Sequence, residues 1–233
     1  GATLDRITNG RWSINVTSGW NEPEFGMYGA DLIEHDKRYE RSAEFIQVLQ
    51  GAWSNEEFSF AGKYYKVDGL RLEPRPTGEL EVFQGGQSTA ALNMASQHTD
   101  WMFLNGGSPE KIARIIEQVR TCTKITGRQV QFALYSIPVC RSTNAAAKKE
   151  IAEMVSTLDP ALLKRRAKRV DGARGMWEDT TSKIAMLDSN EGYVSGLIGS
   201  PDTILRRMEE FHRVGVDCFH LTIHDEMFNA EVL

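Results

Sequence analysis

A turn with two glycines is the part of the sequence best suited to hold a phosphate group. A β-prone run ends in Gly85-Gly86, and a helix-prone segment follows that opens with Gln87, Ser88 and Thr89. Glycines let the backbone approach an anion closely, and the first N–H groups of a helix and the hydroxyls supply donors. Any tight strand-to-helix turn can also use two glycines, so the motif predicts either a phosphate cradle or an ordinary turn.

Polar residues follow an earlier β-prone run and could act at the same site. Asn15, Thr17 and Trp20 lie at the end of this run, where parallel α/β proteins place their active sites. We expect Asn15 and Thr17 to be buried and partnered, because an unpaired buried amide or hydroxyl costs about 1–3 kcal/mol. Their partner is then either a neighbouring backbone or a ligand.

Charged residues precede the first long predicted helix, in the segment from Glu34 to Tyr39. They could hydrogen-bond or pair with ions at a site. Alternatively, the segment only caps the helix. In that case Asp36 is the N-cap and Arg38 makes a surface salt bridge, worth about 0–1 kcal/mol.

The histidines near the end of the chain resemble a metal site only superficially. His220 and His224 are followed by Asp225 and Glu226, which are possible metal ligands. Strand residues four apart are more than about 10 Å apart at a rise of about 3.3 Å per residue, so we predict no metal. We expect His224 to line the pocket.

The elements that position these residues alternate between strands and helices, which predicts a parallel α/β fold. Ser-Pro pairs predict helix starts at Pro109 and Pro201, with Ser108 and Ser200 as capping residues. A polar, helical segment from about 143 to 196 is predicted to be an insertion that carries a lid, with Trp177 and Tyr193 as apolar covers. A hairpin is predicted at 58–67. The five predicted strands are 12–17, 80–84, 101–104, 130–140 and 218–223.

Composition limits the function classes. The 233 residues are 41% hydrophobic, which is enough for a buried core, and the net charge of -5 makes nucleic acid an unlikely partner. No run approaches the roughly 20 apolar residues that cross a bilayer, and no signal peptide is recognisable, so we expect a cytoplasmic protein without a membrane partner. Cys122, Cys140 and Cys218 are expected to be reduced, buried thiols.

Several motifs, in order along nearly the whole chain, resemble the reduced-FMN-dependent alkanesulfonate and dimethylsulfone monooxygenases of the bacterial-luciferase-like group. The resemblance to the dimethylsulfone enzymes is the stronger one. These enzymes are (β/α)8 barrels, so the resemblance implies a single barrel domain over 1–233 that is a C-terminal portion lacking the first three βα units. The motifs are Ala2 to Arg11, Asn15 to Asn21, His35 to Tyr39, Gly85 to Ser88, Asp100 to Gly106 and Gly196 to Pro201.

The resemblance also implies the chemistry and its residues. Reduced FMN from a separate NAD(P)H-dependent flavin reductase would react with O2, and a small organosulfur substrate would be oxidised with cleavage of a carbon–sulfur bond. The family usually forms homodimers or homotetramers. The cofactor-binding residues would be Asn15, Thr17, Tyr39, Gly85, Gly86, Gln87 and Ser88, and the catalytic residues Asn15, Trp20, Asn105 and His224.

One departure from the alkanesulfonate enzymes bears on the substrate. Those enzymes carry an arginine and a histidine on the strand where this chain has Tyr135 and Ile137, which favours a substrate that is neutral or is anchored differently. Other interpretations stay open at this point: a flavin or an N-heterocycle as the substrate, as in riboflavin-degrading and pyrimidine-opening relatives, a non-catalytic flavin-binding subunit, and a deazaflavin-dependent oxidoreductase.

Overall fold

The computed structural model describes residues 1–170 and 182–224. The chain divides into two compact units, residues 1–102 with 119–130, and residues 103–118 with 131–233. In chain order, the elements are α1 (Ala2–Ile7), β1 (Ser13–Val16), α2 (Glu22–Met27), α3 (His35–Ser54), β2 (Phe58–Ala61), β3 (Lys66–Leu70), β4 (Glu81–Gly85), α4 (Thr89–His98), β5 (Trp101–Leu104), α5 (Pro109–Thr126), β6 (Gln131–Ser136), β7 (Val139–Cys140), α6 (Asn144–Ser156), α7 (Pro160–Val170), β8 (Ile198–Gly199), α8 (Pro201–Val214) and β9 (Cys218–Leu221).

The first unit is built on the strands β1, β4 and β5, which lie side by side in that order. β1 and β4 are parallel, with Val16 opposite Gln84. One face of these strands is covered by α3 and α4, where Val16, Val82, Ile46 and Met94 form a buried cluster. Alternate strand residues point to opposite faces, so Asn15 and Phe83 lie on the other face.

The hairpin of β2 and β3 is fixed to α3 by one carboxylate. The two strands are antiparallel and form a separate sheet, as predicted from the sequence. Glu44 on α3 accepts hydrogen bonds from the backbone N–H groups of Lys63 (2.8 Å), Tyr64 (2.7 Å) and Tyr65 (3.1 Å). The turn of the hairpin is therefore bonded to the helix through its backbone.

The second unit contains the strand order β5-β6-β9, with β6 and β9 parallel. Phe132 and Leu134 of β6 are buried, as are Ile112 and Ile116 on the predicted apolar face of α5. β7 and β8 form a short parallel pair. The segment between them contains α6, α7 and two 3-10 turns, at 185–187 and 192–195.

The five predicted strands are all present, with ends that differ by a few residues. The predicted strand 130–140 is divided into β6 and β7, because Pro138 lacks an N–H group and the N–H of Ile137 donates to the carbonyl of Gly192 (3.1 Å). Both Ser-Pro helix starts are confirmed, at Pro109 and Pro201. No helix among residues 1–170 and 182–224 is long and apolar enough to span a membrane.

Three local expectations are wrong. The N-cap of α3 is Glu34, whose carboxylate accepts from the N–H groups of Asp36 and Lys37, so Asp36 lies inside the helix. The side chain of Ser200 makes no capping bond to the backbone of α8. The cysteines are free, but Cys218 is exposed and the other two are only half-buried.

Candidate functional site

The turn between β4 and α4 is narrow at Gly86. Gly86 has φ +121°, a conformation that side-chain-bearing residues rarely adopt. A Cβ atom at this position would lie 2.7 Å from Tyr39 Oη and 3.1 Å from Gln84 Nε2. Side-chain atoms, two of them polar, therefore border a space that only glycine leaves open.

Ser88 caps the helix that starts at this turn. Its backbone is extended (φ -73°, ψ 160°), and its hydroxyl accepts a bond from the N–H of Ala91 (3.3 Å). The first N–H groups of a helix have no partner within the helix, and they present the positive end of its dipole. The N-terminus of α4 thus offers donors to an anion in the turn.

Tyr39 brings a phenol to the same turn from α3. Burial raises the pKa of Tyr39, while the nearby Ser88 hydroxyl and the charge of Arg38 act in the opposite direction. The raised pKa keeps the phenol protonated at neutral pH, so it can donate a hydrogen bond. The ring of His35 lies 5.1 Å from the Tyr39 ring.

Arg38 is buried, which corrects the expectation of a surface salt bridge. Its side chain is only 8% exposed, and its Nη1 donates to the carbonyl of Ile33 (2.7 Å). Among the described residues it has no carboxylate partner, and its Nε has no hydrogen bond. A buried cation without an anion is costly, so the environment of Arg38 favours an anionic ligand, a role that the sequence analysis named only for the segment Glu34 to Tyr39 as a whole. Its position before Tyr39 was the available signal.

Gln84 adds a second buried polar group beneath the turn. The residue is fully buried, and its Nε2 donates to the carbonyl of Gly85. Its Oε1 has no hydrogen-bond partner among the described residues. The amide therefore holds the turn from one side and leaves an unsatisfied acceptor there.

Asn15 and Thr17 are exposed, so the expectation that both are buried is wrong. They lie on the face of β1 that α3 and α4 do not cover, and the Cγ2 of Thr17 would be 3.8 Å from a Cβ at Gly85. Trp20 is 41% exposed. The first unit thus brings Thr17 and Tyr39 to the glycine turn, whereas Asn15 is placed beside Phe83, its register partner on β4.

The other two predicted catalytic residues belong to the second unit. Asn105 directly follows β5 and is half-buried, and His224 is exposed three residues after β9. Both therefore follow strands at their carboxyl ends. Asp225 and Glu226 lie outside the described residues, and no group of three or more possible metal ligands occurs among those that are described.

The predicted lid is in part firmly attached to the second unit. The N–H of Gly106 donates to the carbonyl of Asn190 (3.0 Å), and Asp188 Oδ2 accepts from the N–H groups of Asn190 (2.8 Å) and Gly192 (3.1 Å). Tyr193 is buried. The part of the lid from 176 to 181, with Trp177, lies outside the described residues.

Together, the turn, Ser88, Tyr39 and Arg38 can bind a doubly charged anion such as a phosphate monoester. The model of the luciferase-like monooxygenase family matches residues 1–218. The chain belongs to this family. Its fold is that of the luciferase-like (β/α)8 barrel, and the five-stranded sheet formed by the described residues compares with eight strands in a complete barrel.

Relatives of this luciferase-like monooxygenase are longer than the chain. An FMNH2-dependent dimethylsulfone monooxygenase of Pseudomonas fluorescens (strain Pf0-1) is 35% identical over 244 residues, covering 100% of this chain and 67% of the relative. The pyrimidine monooxygenase RutA of Acinetobacter baylyi is 29% identical, covering 99% of the chain and 64% of the relative.

A solved structure, that of the long-chain alkane monooxygenase LadA, has a TM-score of 0.75 and 19% identity, and the match covers 95% of this chain and 60% of LadA. At this identity the likeness shows the fold alone. The chain therefore spans roughly two thirds of the length of the proteins that it matches.

Proposed function

We propose that the chain is the flavin-holding part of a reduced-FMN-dependent monooxygenase that oxidises a small organosulfur compound such as dimethylsulfone. The observation that carries the proposal is the cradle of Gly86, Ser88, Tyr39 and Arg38, which suits a phosphate dianion. The similarity to an FMNH2-dependent dimethylsulfone monooxygenase supports the substrate class, since the pyrimidine monooxygenase is a more distant relative.

The residues of the cradle fit the phosphate of FMN. The space that a Cβ at Gly86 would fill is bordered by Tyr39 Oη and Gln84 Nε2, and the buried Arg38 supplies a positive charge. In the proposal, the phosphate oxygens accept hydrogen bonds from backbone N–H groups and from two hydroxyls. The N–H groups are those of Gly85, Gly86 and Gln87, and the hydroxyls are those of Ser88 and Tyr39. Hydrogen bonds to a charged group are roughly twice as strong as neutral ones.

When bound, reduced FMN supplies the two electrons with which O2 oxidises the substrate. We assign Asn15 and Thr17 to the flavin ring, because their exposed amide and hydroxyl can bond polar ring atoms. Trp20, Asn105 and His224 are assigned to the substrate. Trp20 provides an apolar surface that excludes water, and Asn105 and His224 provide groups that can orient a polar substrate.

The segment 188–196 is proposed as the lid of this site. Its support is its position at the end of the polar insertion and the burial of Tyr193 against β6, close to the carboxyl end of that strand. A closed lid excludes water, which oxygen chemistry on a reduced flavin requires. The bond that Asp188 accepts from the N–H of Gly192 and the bond that the N–H of Gly106 donates to Asn190 fix its described conformation.

The proposal includes a partner. A reduced flavin must be supplied from elsewhere, so an NAD(P)H-dependent flavin reductase is the proposed donor, and the similarity to an FMNH2-dependent monooxygenase supports this. A homodimer or homotetramer is the proposed assembly, on the strength of the family resemblance.

The chemistry is tested by product formation. The chain is incubated with a flavin reductase, NADH, FMN and dimethylsulfone in air, with the reductase alone as the control. Oxygenation of one methyl carbon converts dimethylsulfone, O2 and reduced FMN into methanesulfinate, formaldehyde, FMN and water. We expect formaldehyde and methanesulfinate in equal amounts, dependent on the chain. Conversion of uracil but not of dimethylsulfone would overturn the organosulfur assignment in favour of the pyrimidine relatives.

A further inference from the structure

A tyrosine and a histidine lie side by side near the carboxyl ends of two strands of the second unit. Tyr135 on β6 and His220 on β9 are register partners, and their ring centroids are 5.5 Å apart. Phe103 on β5 lies 5.5 Å from the His220 ring. Three aromatic rings from three strands therefore form one continuous surface.

The phenol hydroxyl and the imidazole nitrogens of this pair are available to bond a ligand. In the part of the chain that the structure describes, Tyr135 and His220 make ring contacts, and neither Tyr135 Oη nor a ring nitrogen of His220 has a hydrogen-bond partner. The neighbours of Tyr135 along β6, Leu134 and Ser136, are fully buried on the opposite face. Tyr135 is half-buried and His220 is exposed, so these two rings are accessible to a ligand.

The proposed lid, residues 188–196, forms one wall of this surface. A Cβ at Gly192 would lie 2.6 Å from Ile137 Cγ1 and 2.7 Å from Tyr135 Cε1, so the backbone of the proposed lid lies directly against the tyrosine ring. Tyr135 is thus held between Gly192 and His220. A fixed ring makes a well-placed donor, because little side-chain entropy is lost when a ligand binds.

The charge of this surface decides the kind of ligand. β5, β6 and β9 contain no lysine or arginine. Lys111 of the same unit lies 3.6 Å from the buried carboxylate of Glu191, which offsets its charge. A phenol O–H and an imidazole N–H are donors to oxygen in either imidazole tautomer, and the rings suit methyl groups. A sulfonate anion would need a cation here.

We propose that Tyr135 and His220 bind the oxygen atoms of a small neutral substrate that carries sulfonyl or sulfoxide oxygens, with its methyl groups against Phe103. This inference rests on the proposed function and names two residues that determine its substrate specificity. Tyr135 and His220 each donate one hydrogen bond to a substrate oxygen. The substrate is held by neutral donors and aromatic rings.

The test measures substrate binding without flavin, so that it does not depend on turnover. Dimethylsulfone is titrated into the full chain and followed by NMR, and the Kd is compared for the wild type, Tyr135→Phe, His220→Leu and His220→Gln. Loss of one hydrogen bond should weaken binding about fivefold in Tyr135→Phe and His220→Leu. His220→Gln keeps a donor and should stay within about twofold of the wild type. Tyr65→Phe, a hairpin variant, is the control and should not change the Kd.

Two further results decide the proposal. In the wild-type chain the ring-proton resonances of His220 should shift on addition of dimethylsulfone, and dimethyl sulfide, which has no oxygen, should bind at least tenfold more weakly. Equal Kd values in Tyr135→Phe, His220→Leu and the wild type, or an unshifted His220 resonance, overturn the inference.

FMN binding is measured on the same samples. If the wild-type chain does not bind FMN, the proposed function is contradicted. If it binds FMN and the variants bind dimethylsulfone as tightly as the wild type does, this inference alone is contradicted.

Discussion

The double variant Tyr39→Phe and Ser88→Ala is expected to bind reduced FMN about 100-fold more weakly than the wild type. The Tyr39 hydroxyl borders Gly86, and the Ser88 hydroxyl lies at the N-cap of the helix that follows the turn. A hydrogen bond to a charged group contributes about 1.5–3 kcal/mol, so the loss of two is worth about 3 kcal/mol, which corresponds to roughly 100-fold in Kd. An anaerobic titration followed by flavin fluorescence measures the change.

The matched control is the double variant Tyr65→Phe and Ser13→Ala. It also removes one tyrosine hydroxyl and one serine hydroxyl, but from the hairpin and from β1. This control should bind reduced FMN as the wild type does. If the Tyr39 and Ser88 variant also binds with wild-type affinity, the phosphate is held elsewhere and the cradle assignment is wrong.

Gly106→Ala is expected to lower the free energy of unfolding by about 1–3 kcal/mol and to loosen the proposed lid. A Cβ at Gly106 would lie 1.8 Å from the carbonyl oxygen of Glu191, a backbone atom that can move only if the segment moves. The hydrogen bond from Gly106 to Asn190 would be strained as well. Denaturant unfolding measures the stability, and limited proteolysis within 188–196 measures the loosening.

Gly107→Ala provides a control in the same loop. Its Cβ would meet the Cδ of Lys111 at 3.1 Å, which is the flexible part of a side chain, so its stability and cleavage rate should stay close to those of the wild type. Equal cleavage of Gly106→Ala and Gly107→Ala would mean that Gly106 does not hold the segment. If FMN and substrate together leave the wild-type cleavage rate unchanged, the segment is not a lid.

Much of the fold could be predicted from the sequence, because local patterns determine it. The apolar spacing of Ile112, Ile116 and Val119 predicts the buried face of α5, and all three are buried. The Ser-Pro pairs predict the starts of α5 and α8 for the same local reason. The division of the strand 130–140 depends instead on the carbonyl of Gly192, more than fifty residues away, and no local pattern shows that contact.

The candidate site was predictable where it depends on the backbone. Gly85-Gly86 followed by Ser88 predicts a helix N-terminus next to an open turn, and the structure has this arrangement. The burial of Arg38 was not predictable, because a single cation at the start of a helix is usually exposed. The exposure of Asn15 was missed because alternation along β1 does not say which face the helices cover.

The central claim, that the chain holds reduced FMN through the turn after β4, is tested most directly by an anaerobic titration of the wild-type chain with oxidised and with reduced FMN, followed by calorimetry. The account predicts that the reduced form binds more tightly, and that inorganic phosphate at high concentration competes with it for the cradle. Absence of binding of either form, or binding that phosphate does not weaken, would contradict the claim.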